Sequence, residues 1–441
     1  MAATLPPSPP VAADSVREVA VVGAGLVGLC SALWLQRLGH SVTLIDSEPP
    51  LPGSSYENAT SFGNACTVAP HAVIPVATPG IGRRVPAMLA NPEGPLAIMW
   101  PYLPRLAPWL RGFLASSTPD EMERIGGILR GLLDLADAGY QPLYEDARVN
   151  HLLRHAGCLY LFKTEAEHAA AREDTIFRER HGVRMDHLDS NAIRDLEPNL
   201  APLYHRGLLF RDAYTFDTPK AVAFAFAQAF LGHGGTIVAG RVRALSPTPQ
   251  GIRIALEGAD DHLAERAVIA AGSWSRPLAK SIGDDVLLDT ERGYHVLFPE
   301  GGNLLNRPVC YAEHGFYMTP TSEGLRAAGT VELGGLTAPA RTVRTRAIRK
   351  AVAKLVPRAG EGTREWLGFR PSMPDSLPVI GQSPSDLRVI YAFGHGHIGL
   401  TLAGITGRLV ADLLSGRPTP IDMGPLRPVR FGAFGRPLPG R

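Results

Sequence analysis

Cysteine is scarce. The four residues, Cys30, Cys66, Cys158 and Cys310, lie far apart and form no CxxC pair. That spacing argues against a structural zinc, a redox dithiol or a disulfide framework, so no metal site is expected, and it suits a reducing, cytoplasmic compartment. An excess of one charge is also lacking. The formal net charge is +2 and no Lys/Arg run is long enough to follow a phosphate backbone, which leaves nucleic-acid binding without support. No stretch of about 18 uninterrupted apolar residues occurs, so no membrane span is expected. Residues 1–16 are Pro-rich and polar with no apolar h-region, and read as a disordered arm rather than a signal peptide.

What is present suits a globular chain. Its 441 residues, 45% hydrophobic and 20% charged, are enough for two or three domains with buried cores. Residues 18–22, 26–38 and 41–46 run apolar strand, helical spacing and β-branched strand, the βαβ order of a parallel sheet. Residues 49–79 are Gly/Ser/Asn/Pro-rich and suit loops. Residues 95–115 are apolar and aromatic but carry four prolines. Those prolines spoil a regular amphipathic helix, so core packing is preferred there to an interfacial patch making peripheral contact with the inner membrane face.

Residues 119–147 and 164–181 have the spacing of charged amphipathic helices. A helix from 219 ends at glycine and leads into a strand at 236–240; residues 251–258 and 264–272 look like two strands around a turn. Segments between 287 and 331 alternate as in an antiparallel sheet, 344–355 is a basic amphipathic helix, and 387–416 gives strand, glycine turn and long helix.

Gly23-Ala24-Gly25-Leu26-Val27-Gly28 is GxGxxG between a strand and a helix. Gly23 permits the tight turn, Gly25 lets backbone approach a pyrophosphate, and Gly28 lets helix and strand pack closely. The phosphates then meet free N–H groups at the positive helix end, beside Leu26 and Val27. Asp46 ends the second strand, where a carboxylate takes ribose hydroxyls. Ser47 and Glu48 follow in place of an arginine, which disfavours a 2′-phosphate. This unit binds an adenine dinucleotide and does not by itself separate FAD from NAD.

The other end of the chain does. Residues 394–399, Gly-His-Gly-His-Ile-Gly, also join a strand to a helix, but no acidic-ended strand follows. A helix N-terminus there offers N–H donors and a positive dipole to an anionic ring, as reduced flavin presents. His395 and His397 read as turn polarity in preference to catalysis.

The segments VVGAGLVGLCSALWLQRLGHSVTLID, TSFGNA, VIAAGSWS, LGFRPSMPDSLPVIG and FGHGHIGLT resemble the D-amino acid oxidase-type flavoprotein family, most closely its bacterial D-amino acid dehydrogenases, over roughly residues 17–430. The resemblance implies non-covalent FAD, with Ser61, Phe62, Gly63 and Asn64 at the flavin edge and Val242 at the adenine. It places Ala271, Gly272 and Trp274 around the cofactor, and Gly396, Ile398, Gly399, Leu400 and Thr401 at the flavin pyrimidine. Cys66 departs from the glycine usual after Asn-Ala, and reads as packing, a redox liability or a covalent tether. The fold class is α/β: a Rossmann-type FAD-binding domain from 17–92, 208–285 and 366–430, and an α+β substrate domain on an antiparallel sheet from 93–207 and 286–365.

Oxidising an amino acid at Cα chiefly needs orientation and a carboxylate clamp, best made by a planar bidentate cation. Arg370, in Gly-Phe-Arg-Pro, matches the family's carboxylate-binding arginine, and Tyr317 matches the tyrosine that joins it. Tyr294 and His295 are further pocket candidates. Arg292 and Arg326 read as surface ion pairs rather than secondary clamps. The expected reaction is FAD-dependent oxidation of a D-amino acid to an imine and then a 2-oxo acid. Its electron acceptor is a quinone, a partner flavoprotein or oxygen. D-proline, cis-4-hydroxy-D-proline and secondary amines such as sarcosine or glycine are variant substrates. A NAD-dependent dehydrogenase and a non-catalytic flavin subunit are the competing classes.

Overall fold

The computed structural model describes residues 4–91, 93–311, 315–432 and 437. Glu18–Val22 is apolar and buried from Val19 onward, the composition of a central parallel strand. It pairs in parallel with Ser41–Asp46 on one side and Arg266–Ile269 on the other. Thr236–Ala239 and Val389–Phe393 extend this sheet in parallel, and Val379–Gln382 closes it as an antiparallel edge. Strands from the start, middle and end of the sequence therefore share one sheet.

The helices Leu26–Arg37 and Gly399–Leu414 cross over it at backbone distance. A Cβ on Gly407 would stand 2.5 Å from the Cys30 carbonyl oxygen, so only glycine allows that crossing. The stretch Gly396–Leu414 has the length and apolar composition of a membrane-crossing helix, against the expectation from uninterrupted runs. It is nevertheless buried in the core.

A second, nine-stranded sheet begins Arg364–Ser372, Asp289–Phe298, Gly324–Leu333, Phe316–Thr321 and continues through Val309–Tyr311, Cys158–Phe162, Arg206–Phe210 and Asp186–Asp189. It is mainly antiparallel. Only Val309–Tyr311 with Cys158–Phe162, and Leu96–Ile98 with Gly324–Leu333, pair in parallel among its described strands. The helix Thr342–Leu355 covers one face, packing Ile348, Val352 and Leu355 with Val296, Phe298 and Met318. The loop 58–66 lies across the other face, held by Arg326, Thr319 and His295.

Several expectations shift. Arg206–Phe210 and Arg364–Ser372 belong wholly to the large sheet, which moves both domain boundaries. Residues 251–272 do not form one hairpin. Gly251–Leu256 pairs with His262–Ala264 in a small sheet, and Arg266–Ile269 enters the parallel sheet instead. Residues 4–16 are docked rather than disordered. Val11 N–H donates to Leu38 O at 2.8 Å, and the arginines Arg408 and Arg417 donate to the Pro6 and Pro9 carbonyls. A Pro-rich segment keeps its acceptors free for such side chains. The stretch 95–115 does contain a regular helix, Leu103–Ala115. Pro104 lies in its first turn, where the N–H has no helical partner, although Pro108 is interior. Leu106 and Trp109 pack against Leu333, whereas Trp100 and Leu114 remain exposed.

Candidate active site: a dinucleotide cleft against a carboxylate clamp

The first glycine turn is built as its spacing requires. Gly23 has φ +107°, and a Cβ there would stand 2.5 Å from Ala270 O; a Cβ on Gly28 would stand 1.8 Å from Gly23 O. Gly25 differs. Nothing lies within 4 Å of its absent Cβ, and it caps the helix with no side-chain bond, so the first-turn N–H groups face open space. Asp46 closes the turn, accepting from Ala24 N–H at 2.6 Å and Glu48 N–H at 2.7 Å, and burial raises its pKa.

From this turn a cleft of about 310 Å³ runs to the C-terminal turn. Of the residues expected at a cofactor, Gly23, Gly25, Leu26, Val27, Asp46 and Ser47 line one end. Ser61, Asn64, Val242, Ala271, Gly272 and Trp274 line its length, and Gly396, Gly399 and Leu400 the other end. Gly272 and Gly396 have positive φ, and like Gly25 they have no atom within 3.4 Å of the place a Cβ would occupy. Three glycines thus open their backbone onto one elongated space, a cradle that fits a dinucleotide joined to a ring system.

Five expected residues stand elsewhere. Gly28 seats the helix on its strand. Phe62 turns to Trp366 and Arg326, at 6.0 and 5.9 Å, and Gly63 lies beneath Trp366. Ile398 faces a neighbouring small cavity, and the Thr401 hydroxyl accepts from Ala69 N–H at 3.0 Å. Asn58, Thr60, Gly240 and Arg243 line the cleft without having been singled out, and so does Pro371 of the Gly-Phe-Arg-Pro motif. Asn58, Thr60 and Gly240 are loop residues outside any motif, and Arg243 lies in the strand Val242–Thr248.

Arg370 adjoins the cleft, next in sequence to the cleft-lining Pro371. Its strand is fixed there because Thr60 and Ser273 both donate to Phe369 O, at 2.7 and 2.8 Å, and Pro371 lines the cleft. The guanidinium reaches across the Asp289–Phe298 strand to Thr330 O at 2.9 Å. It makes no ion pair among the described residues, and burial lowers its pKa, with Glu291 opposing. Tyr317 lies one strand beyond, its hydroxyl bonded to that of Tyr160. Arg370 and Tyr317 are therefore brought onto one face of the sheet.

Tyr294 and His295 are not both there. Successive residues of a strand face opposite sides, and Tyr294 points into the core beneath the Thr342–Leu355 helix. Its hydroxyl donates to Glu332 Oε1 at 2.9 Å, so it is not a pocket residue. His295 is on the cleft side but fully packed, stacked on Trp366 with Nδ1 3.2 Å from Gly63 O; burial takes its pKa to about 3. It supports the loop rather than meeting the cleft. His395 is likewise buried, bonded to Thr406 Oγ1 at 2.9 Å, with its pKa pushed to about 3 by burial.

Arg292 and Arg326 are ion-paired as expected, but both are buried. Arg292 pairs with Glu332 at 3.2 Å; Arg326 pairs with the part-exposed Glu323 at 3.0 Å and also donates to Phe62 O at 2.7 Å and Asn64 O at 3.3 Å. Cys66 is buried off the cleft with its Sγ 3.6 Å from Arg326 Nη1, and burial raises its pKa. Packing is its role here.

The family model described as DAO, FAD dependent oxidoreductase, matches residues 18–413. The chain belongs to that family. Among curated relatives it is 38% identical to a D-amino-acid oxidase of Bradyrhizobium diazoefficiens, over 94% of this chain and 99% of the relative. It is 30% identical to a D-amino acid dehydrogenase of Methylobacterium nodulans, over 94% and 99%. Among solved structures, glycine oxidase from Geobacillus kaustophilus superposes with a TM-score of 0.71 at 21% identity, covering 95% of this chain and 100% of that one, a likeness of fold. This FAD-dependent oxidoreductase thus presents a glycine-lined cleft shaped for its cofactor, with the half-buried Arg370 beside it.

Proposed function

We propose that this oxidoreductase is a dehydrogenase of D-amino acids, converting them to imines that water hydrolyses to 2-oxo acids. The observation that carries the reading is Arg370. A half-buried guanidinium with no ion pair among the described residues leaves its charge free to meet an anionic ligand. Its planar fork matches a carboxylate. Bound FAD supplies the acceptor for the Cα hydride; the protein supplies orientation. Arg370 fixes the carboxylate, the cleft wall fixes the strand that carries Arg370, and the Tyr160–Tyr317 hydroxyl pair offers a further donor on the same face. The names of the two curated relatives support a D-amino acid as substrate.

The test is a panel of D- and L-amino acids, with D-proline and sarcosine included, assayed with an artificial dye beside a peroxide assay. Dye reduction by D-enantiomers with little peroxide is the expected result. Peroxide formation at the dye rate makes the protein an oxidase, and activity confined to L-enantiomers or to sarcosine overturns the substrate class.

A further inference from the structure

Glu291 stands directly opposite Arg370 on the neighbouring antiparallel strand, so both side chains leave the same face of the sheet. It is only 7% exposed and forms no ion pair among the described residues. It lines a cavity of about 10 Å³, room for one water molecule, together with Ser372, Gly396 and His397. Gly396 also lines the cofactor cleft, so the carboxylate sits where cleft and cavity meet. Its neighbours are the Ser372 hydroxyl and the Arg370 charge, which acts on it without forming an ion pair.

We propose that Glu291 receives the ammonium group of the substrate and accepts its proton, so that the site binds an α-amino acid as a zwitterion. The inference rests on the amino-acid reading above. Charge complementarity supports it. Arg370 contributes one positive charge and Glu291 one negative charge, while burial keeps His395 neutral, with its pKa at about 3. A zwitterion satisfies both charges; a 2-hydroxy acid anion leaves the Glu291 carboxylate facing the substrate carboxylate uncompensated.

The step balances within the protein. An N–H bond of the ammonium breaks, its electron pair stays on nitrogen, and the proton bonds to a Glu291 oxygen. That lone pair then forms the C=N bond as the family's oxidation removes the Cα hydrogen with its electrons. The proton leaves through the one-water cavity past His397, which is exposed.

The charged or titratable groups around Glu291 are Arg370 on the next strand and His395 and His397 on the C-terminal turn. Asp289, two residues along the same face, is taken by the Tyr102 hydroxyl at 3.0 Å. The Ala72, Ile74 and Leu129 walls add no titratable group. Burial raises the Glu291 pKa while Arg370 and Ser372 oppose it, so the base is lost as pH falls through that raised value.

The experiment uses FAD-loaded protein, wild type and Glu291→Gln, with D-alanine as substrate and with D-lactate and propionate as binding probes read by flavin-spectrum perturbation. The expected kcat/KM of Glu291→Gln for D-alanine at neutral pH is about 100-fold lower. It recovers about tenfold per pH unit as the amine loses its proton in solution. D-lactate and propionate bind several-fold more tightly to the variant, because a negative charge beside their carboxylate is gone; this also shows that the variant is folded. A D-alanine loss that is flat with pH, or probe affinities that are unchanged or weaker, overturns the assignment. A wild type that oxidises no amino acid refutes the functional reading instead, and the probe affinities still decide whether Glu291 faces the bound anion.

Discussion

Gly293 lies directly beneath the guanidinium of Arg370: a Cβ built on Gly293 would stand 2.3 Å from Nη2 and 2.4 Å from Cζ. The clamp therefore depends on a missing side chain in the strand it crosses. Gly293→Ala is expected to displace the guanidinium from Thr330 O and raise KM for a D-amino acid at least tenfold. FAD content should not change, since Gly293 does not line the cleft. Steady-state kinetics beside the flavin-to-protein absorbance ratio checks both halves.

Arg370 itself is predicted to be intolerant of even a conservative change. Arg370→Lys keeps the charge but loses the fork, and should cost on the order of 10–100-fold in kcat/KM. Arg370→Ala should raise KM further while FAD stays bound. Kinetics indistinguishable from wild type in either variant would remove Arg370 from the substrate site.

The roles of the second and third glycines in the first turn separate by substitution. Gly25 faces open space in the cleft, so Gly25→Val should fold and yet bind FAD far more weakly. Gly28 has the Gly23 carbonyl 1.8 Å from its absent Cβ, so Gly28→Val should fail to fold or melt far lower. Thermal melts of apoprotein with FAD titration distinguish the outcomes.

His71 gives a pH signature. It is buried, stacked on Phe210 at 4.0 Å, and neither ring nitrogen has a hydrogen-bond partner. Burial, aided by Arg178, lowers its pKa to about 3 from 6.5. A histidine whose folded pKa is depressed takes up its proton preferentially when unfolded. The folded state is thus fully favoured above about pH 6.5 and loses roughly 1.4 kcal/mol for each pH unit below it, down toward 3. His71→Phe loses no hydrogen bond, so it should match wild type in stability at pH 8 and exceed it at pH 5. Denaturant melts at the two pH values measure the difference, and equal shifts at both would contradict it.

How much of this was legible in the sequence depended on range. The turn at residues 23–28 and its acid Asp46 are local features, fixed by glycine sterics and strand length, and the C-terminal glycine turn was equally readable. Arg370 was legible through its motif. Glu291 was not, because a glutamate in a strand carries no mark of its partner; only the register sets it opposite Arg370, 79 positions away. Tyr294 was misread for a related reason. Every residue of Asp289–Phe298 is buried, so apolar alternation gives no sign of which parity faces the cleft. Arg292 and Arg326 were misread because arginine usually marks surface. Glu323 is a local partner of Arg326, but Glu332 for Arg292 and the Phe62 and Asn64 carbonyls for Arg326 come from distant segments.

The central claim is that Arg370, beside an FAD cleft, orients a D-amino acid for oxidation. The most direct measurement mixes the FAD-loaded protein anaerobically with one enantiomer of alanine at a time and follows the oxidised flavin band. Bleaching by D-alanine but not by L-alanine, and its loss in Arg370→Ala that still carries FAD, is the predicted result. Bleaching by both enantiomers, or full bleaching of Arg370→Ala at the same D-alanine concentration, would contradict it.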